Sequence, residues 1–78
     1  MKSVYLSFKL IDEAKDFVNV ISKMDGDFDL VSGRYIVNAK SILGIFSLDW
    51  SKPIRLDIHD DEAFDKLMPH IKDNIVEQ

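Results

Sequence analysis

Val4, Leu6 and Phe8 alternate with Tyr5, Ser7 and Lys9, a period of two that predicts a strand with one buried face. From Asp12 the period changes. Ala14, Phe17, Val18, Ile21 and Met24 fall three and four residues apart, which predicts an amphipathic helix ending near Asp25 and Gly26. Asp12, Glu13 and Asp16 load its first turn with negative charge, where the helix dipole favours it. Phe28 and Leu30 then alternate with Asp27 and Asp29, Ser32 and Gly33 supply turn chemistry, and Tyr35, Val37 and Ala39 alternate again. This pattern predicts a hairpin of two strands. Ser41 to Leu48, with Asn38 and Ser41 as capping candidates, is long enough only for a two-turn helix. Pro53 suits a strand start, and Ile54, Leu56 and Ile58 alternate with Arg55, Asp57 and His59 in a fourth strand. Asp60 and Asp61 cap a last helix whose apolar stripe is Phe64, Leu67, Met68, Ile71 and Ile75. Pro69 lies inside that stripe and predicts a kink or break about one turn before it.

The expected order is βαββαβα, a single α+β domain over residues 1–78. An antiparallel four-stranded sheet with the helices on one face is the architecture that buries all these stripes together. A chain of 78 residues falls below the roughly 100 to 200 residues typical of one domain. It buries only about 60–65% of its unfolded surface, so most of its large apolar residues are needed for the core.

Composition narrows the chemistry. The absence of cysteine removes disulfides, thiolate metal sites and thiol nucleophiles, and fits a reducing compartment. The formal net charge of −4 and the pI near 4.9 oppose general attraction to nucleic acid or to anionic membranes. The N-terminal residues alternate early and soon become acidic, unlike a signal peptide or a membrane span. A soluble, cytoplasmic protein is the expectation.

Few residues are candidates for a site. His59 and His70 are the only histidines. They have neither a cysteine nor a helical partner at three or four residues, so no metal and no cofactor are expected. Both read as solvated surface. Asp12, Glu13, Asp16, Asp60 and Asp61 stand at helix starts, where the dipole accounts for them without acid or base catalysis. The short helix is different, because Ile42, Leu43, Ile45 and Phe46 are too many apolar side chains for one face of two turns. Either Leu43 and Leu48 enter the core and the others cover its edge, or Ile42 and Phe46 form an exposed docking patch. Trp50 is either a lid over the core or part of the Phe46 patch.

The segment Val37-Asn38-Ala39-Lys40-Ser41-Ile42-Leu43-Gly44-Ile45-Phe46-Ser47-Leu48 resembles the stretch around the regulatory serine of the HPr family, the small phosphocarriers of the bacterial sugar phosphotransferase system. The family form is close to VN-x-KSI-x-G-x-x-SL, and Val37, Asn38, Lys40, Ser41, Ile42, Gly44, Ser47 and Leu48 match it in register. The derived element order is also that family's, an open-faced β-sandwich, so the resemblance extends over essentially the whole chain. It implies that Ser41 is a substrate for an ATP-dependent HPr kinase, besides capping its helix, a role worth about 0.5–2 kcal/mol. It also implies a partner-binding surface drawn from Lys40, Ile42, Leu43, Ile45, Phe46 and Trp50, with HPr kinase or a transcriptional regulator as the kind of protein partner.

The resemblance fails at the family's phosphoryl-carrying histidine, in a segment close to G-I-H-A-R-P-A between the first strand and first helix. The same junction here, Phe8 to Ala14, holds no histidine, arginine or proline, and phosphoryl transfer needs an imidazole nucleophile and a cation to hold the phosphate. Asp12, Glu13 and Asp16 instead add repulsion. The expectation is therefore a non-catalytic, HPr-like regulatory or protein-binding module. The alternatives are a phosphocarrier that uses His59 or His70, and a structural, homodimeric orphan domain.

Overall fold

The computed structural model describes residues 2–76. Its elements are β1 (Lys2–Leu6), α1 (Ile11–Ile21), β2 (Phe28–Ser32), β3 (Tyr35–Asn38), α2 (Ile42–Phe46), β4 (Ile54–Ile58), α3 (Asp61–Ile71) and β5 (Ile75–Val76), with a 3₁₀ turn at Lys72–Asn74 before β5. The class is α+β, with one antiparallel sheet in the order β3-β2-β4-β1-β5.

The sheet has five strands, not four. The spacing of Ile75 places it on the stripe of the last helix. Instead the chain turns at Lys72–Asn74, and Ile75 and Val76 pair with Leu6 and Tyr5 of β1. The loop after β1 helps to hold this turn: the Ser7 amide donates to the Asn74 carbonyl at 2.8 Å, and the Asn74 side chain donates to the Ser7 carbonyl and to Glu13. The helix also does not break before Pro69, since α3 runs through it to Ile71. Pro69 stands in the last turn and is exposed, so the missing amide costs one bond near an end that closes anyway.

Register divides the sheet into two faces. Leu6 opposes Ile54, Val4 opposes Leu56, and Leu56 also opposes Leu30 of β2. Side chains alternate along a strand, so these residues share one face. Leu6, Leu30, Ile54 and Leu56 form a single buried cluster with Ala14, Phe17 and Ile21 of α1, Ile45 of α2, and Ala63, Leu67 and Ile71 of α3, and half-buried Val4 packs against it. The other face carries Ser3, Tyr5, Asp29, Val31, Ile36, Arg55 and Asp57.

On that open face Asp29 and Asp57 stand directly opposite each other, a like-charge pair that is normally destabilising. Each carboxylate has its own partner. Asp29 pairs with the His59 ring at 3.0 Å, and Asp57 accepts from Arg55 at 2.9 Å and from the Ser3 hydroxyl at 2.7 Å. Burial pushes the Asp57 carboxyl up, but the Ser3 hydroxyl and the Arg55 guanidinium outweigh it and hold the group below its ordinary value.

Besides Gly26 after the first helix (φ +113°), glycine matters at two points. Gly33 (φ +60°) followed by Arg34 at negative φ closes the β2–β3 hairpin, the pattern of a type II′ turn. Gly44 lets α2 approach β3, because a β-carbon there would stand 3.1 Å from that of Val37.

Candidate functional site

The candidate site is built on α2. Ser41 opens the helix: its backbone is extended and its hydroxyl accepts from the Gly44 amide at 3.2 Å, the geometry of an N-cap. Ser41 is itself exposed. Asn38, the other capping candidate, accepts instead from the Lys40 amide in the preceding turn.

Residues three apart share a helix face, so the four apolar side chains separate into two pairs. Ile45 is 0% exposed and lies in the core, with Ile42 half-buried on the same side. Leu43 and Phe46, at 78% and 44% exposed, face outward. Three expectations are thereby corrected. Ile45 is no part of a partner-binding surface, because it is wholly enclosed. Leu43 does not enter the core, which Leu48 does, and Ile42 lies closer to the core than an exposed docking residue would.

Trp50 combines both of its expected roles. Its indole N–H donates to the Ile45 carbonyl at 2.9 Å, beside the Leu48 amide that donates to the same carbonyl at 3.1 Å, and so ties the ring to the end of the short helix. Its ring packs on Phe8 at 5.9 Å and on Phe46 at 5.8 Å, while Phe8 packs on Phe17 at 5.4 Å. Phe17, Phe8, Trp50 and Phe46 thus form a continuous aromatic path from the core to the surface, at separations favourable for tilted rings.

Lys40 is held away from this path. Its ammonium donates to the Met24 carbonyl at 2.7 Å and stands over the Phe28 ring at 5.6 Å. It lines a shallow polar depression with Asp29, Asn38 and His59, and does not join Leu43 and Phe46.

The junction of β1 and α1 carries a second group of exposed apolar residues, Leu10 and Ile11. The Phe8–Trp50–Phe46 contacts link this junction to α2. Sequence spacing did not single these two out, because Ile11 lies three residues before Ala14 and fits the buried stripe. Only its place beyond the edge of the core exposes it. The Lys9 and Leu10 amides both donate to the Glu13 carboxylate, at 2.7 and 3.0 Å, so the backbone donors that open this junction are taken by the chain itself.

These two amides are the main cause that holds the Glu13 carboxyl below its ordinary value of 4.5. A depressed folded value means that the contribution of Glu13 is fully present above about 4.5 and is lost as pH falls through the folded value. Replacing Glu13 with alanine is therefore expected to lower the melting temperature at neutral pH. The difference from the parent protein should shrink toward zero in acid, as thermal melts in a pH series would show.

The histidines lie apart from α2. His59 is exposed, but its ring is paired with Asp29 and its amide donates to the Asp27 carbonyl at 3.2 Å. His70 is exposed in the last turn of α3, beside Val20, Lys23, Met24 and Lys66. Asp60 caps α3 through the Glu62 amide at 2.9 Å. Among the described residues no helix is long and apolar enough to cross a membrane. Comparison with protein-family models, with curated proteins and with solved structures finds no match to this chain.

Proposed function

We propose that this protein is a non-catalytic protein-binding module of the HPr-like kind, which presents Leu43 and Phe46 of α2, backed by Trp50, to a protein partner. The observation that carries this is the outward pair on α2. In a small domain that needs most of its apolar side chains inside, two large ones are left on the face of a helix whose inner face is already satisfied by Ile45. Large apolar side chains exposed next to a rigid aromatic support are the usual anchors of protein contacts.

The HPr-like part of the proposal rests on the Val37–Leu48 segment and on the element order through α3. The arrangement at the β1–α1 junction supports a role without phosphoryl transfer there, since Glu13 already occupies the Lys9 and Leu10 amides and an incoming phosphate would meet its charge.

Ser41 is the proposed point of regulation. It is exposed, and among the described residues its hydroxyl makes only the cap contact with Gly44. A phosphate of about −1.5 to −2 charge would alter the approach to Leu43 and Phe46 without entering the core. Incubation with an HPr kinase and ATP, followed by intact-mass spectrometry, tests this. One phosphate on the parent protein and none on Ser41→Ala is the expected result. An unmodified parent protein would remove the regulatory role and leave only docking.

A further inference from the structure

β3 is an edge strand of four residues, and apart from this shortness its sequence has none of the devices that keep such edges from pairing. Over Tyr35–Asn38 there is no proline, no lysine and no acidic residue, and Tyr35 and Ile36 are each 69% exposed. The direction of its backbone groups follows from the ladder. The two-residue turn at Gly33 and Arg34 makes Ser32 and Tyr35 a hydrogen-bonded pair, and pairs alternate from there along an antiparallel ladder. The bond from the Ala39 amide to the Phe28 carbonyl, 2.9 Å, keeps the same parity. Tyr35, Val37 and Ala39 therefore spend their backbone groups on β2, while Ile36 and Asn38 direct theirs away from the sheet. The Asn38 carbonyl is used by the Ser41 amide. This leaves the Ile36 amide and carbonyl and the Asn38 amide as the free edge.

We propose that this edge pairs antiparallel with the same edge of a second copy, Ile36 opposite Ile36, joining two five-stranded sheets into one. The strand is complementary to itself in this register. The two Ile36 residues exchange both backbone bonds across the two-fold axis, and each Asn38 amide meets the Arg34 carbonyl of the other copy. On the open face the Ile36 side chains touch each other and Arg34 lies opposite Asn38, so no like charges oppose across the axis. On the core face Tyr35 lies opposite Val37, which gives its exposed ring an apolar partner. An unrelated extended segment would gain the same backbone bonds but has nothing here to select it. The surface is short, below the ~1,200 Å² of a standard interface, so the dimer is weak and forms with concentration.

Sedimentation equilibrium over a dilution series reaching about 1 mM tests this on the full chain. The mass should rise from 9.0 kDa toward twice that value. Ile36→Lys, which sets two ammonium groups against each other on the axis, should weaken the association at least ~tenfold. Because the chain has no cysteine, a single introduced thiol gives an independent measure of register. A directly opposed pair has Cα atoms about 5.5 Å apart, within the span of a disulfide. Ile36→Cys should thus cross-link under mild oxidation at least ~tenfold faster than Lys15→Cys on α1, which is also exposed. Residue 36 is on the surface, and circular dichroism of each variant verifies that it is folded. A monomeric mass at every concentration, a dimer unchanged by Ile36→Lys, or equal cross-linking of the two thiols would each overturn the proposal.

Discussion

Phe46→Asp is expected to leave the domain folded and to abolish capture of its protein partner, whereas Ile45→Asp, one residue away, is expected to unfold it. The difference lies in the helix face. Phe46 is 44% exposed and turned outward, so a carboxylate there stays hydrated and stability changes by about 1 kcal/mol or less. Loss of a central aromatic anchor from an interface costs about 2 kcal/mol or more, roughly a thirtyfold loss of affinity. Ile45 is fully enclosed, and an unpaired buried carboxylate costs several kcal/mol, a large share of the about 5–15 kcal/mol that holds a domain together. Thermal melts followed by the single tryptophan would separate the two outcomes, because Trp50 touches both the core and Phe46. Quantitative pull-downs with the parent protein and Phe46→Asp then measure capture. Identical partners on both forms would show that Leu43 and Phe46 are not the contact surface.

The second large effect is expected at Leu56. It lies on β4 between β2 and β1, faces the helices and is completely buried. Leu56→Ala should cost about 2–5 kcal/mol, through lost burial and the cavity left behind. In a domain of this size each kcal/mol lowers the melting temperature by about 4–8 °C, so a fall of at least about 8 °C is expected. Ile36→Ala, on the open face of the same sheet, should change stability by no more than about 0.5 kcal/mol when measured on dilute protein. Similar losses at the two positions would mean that the open face is covered as fully as the core face.

Much of the fold was legible in the alternation of side chains. The alternations at Val4–Leu6, Phe28–Leu30 and Ile54–Ile58 each lie on a strand, because one face of every central strand meets the helices and carries the apolar side chains while the other carries mainly polar ones. The helix stripes likewise placed Ala14, Phe17 and Ile21, and Leu67 and Ile71, in the core. Boundaries were less legible. The first helix ends at Ile21, earlier than Met24 and Gly26 suggest, because Ser22 to Met24 form a tightening turn whose amides reach back to Val18, Val20 and Ile21. Phe8 is buried beyond the end of its strand, since it packs on Phe17 and Trp50 and not through a ladder. The fifth strand was hidden, because two residues are too few to show a period and Ile75 also fits the spacing of the helix before it.

Of the candidate site, the sequence by itself determined the short helix, Asn38 and Ser41 as its two possible caps, and an apolar surplus too large for one face. It also determined that the first junction has no imidazole for phosphoryl transfer. It could not assign the surplus, because over five helical residues a shift of one position exchanges the inner and outer pairs. Tertiary structure decided that, through Gly44 against Val37 and Trp50 against the Ile45 carbonyl, which turn Ile45 inward and leave Leu43 and Phe46 outside. It alone drew Lys40 off toward Met24, added Leu10 and Ile11 to the exposed apolar residues, and left the Ile36 backbone open at the sheet edge. Each of these depends on where one element ends against another, which the periodicity of a single segment does not contain.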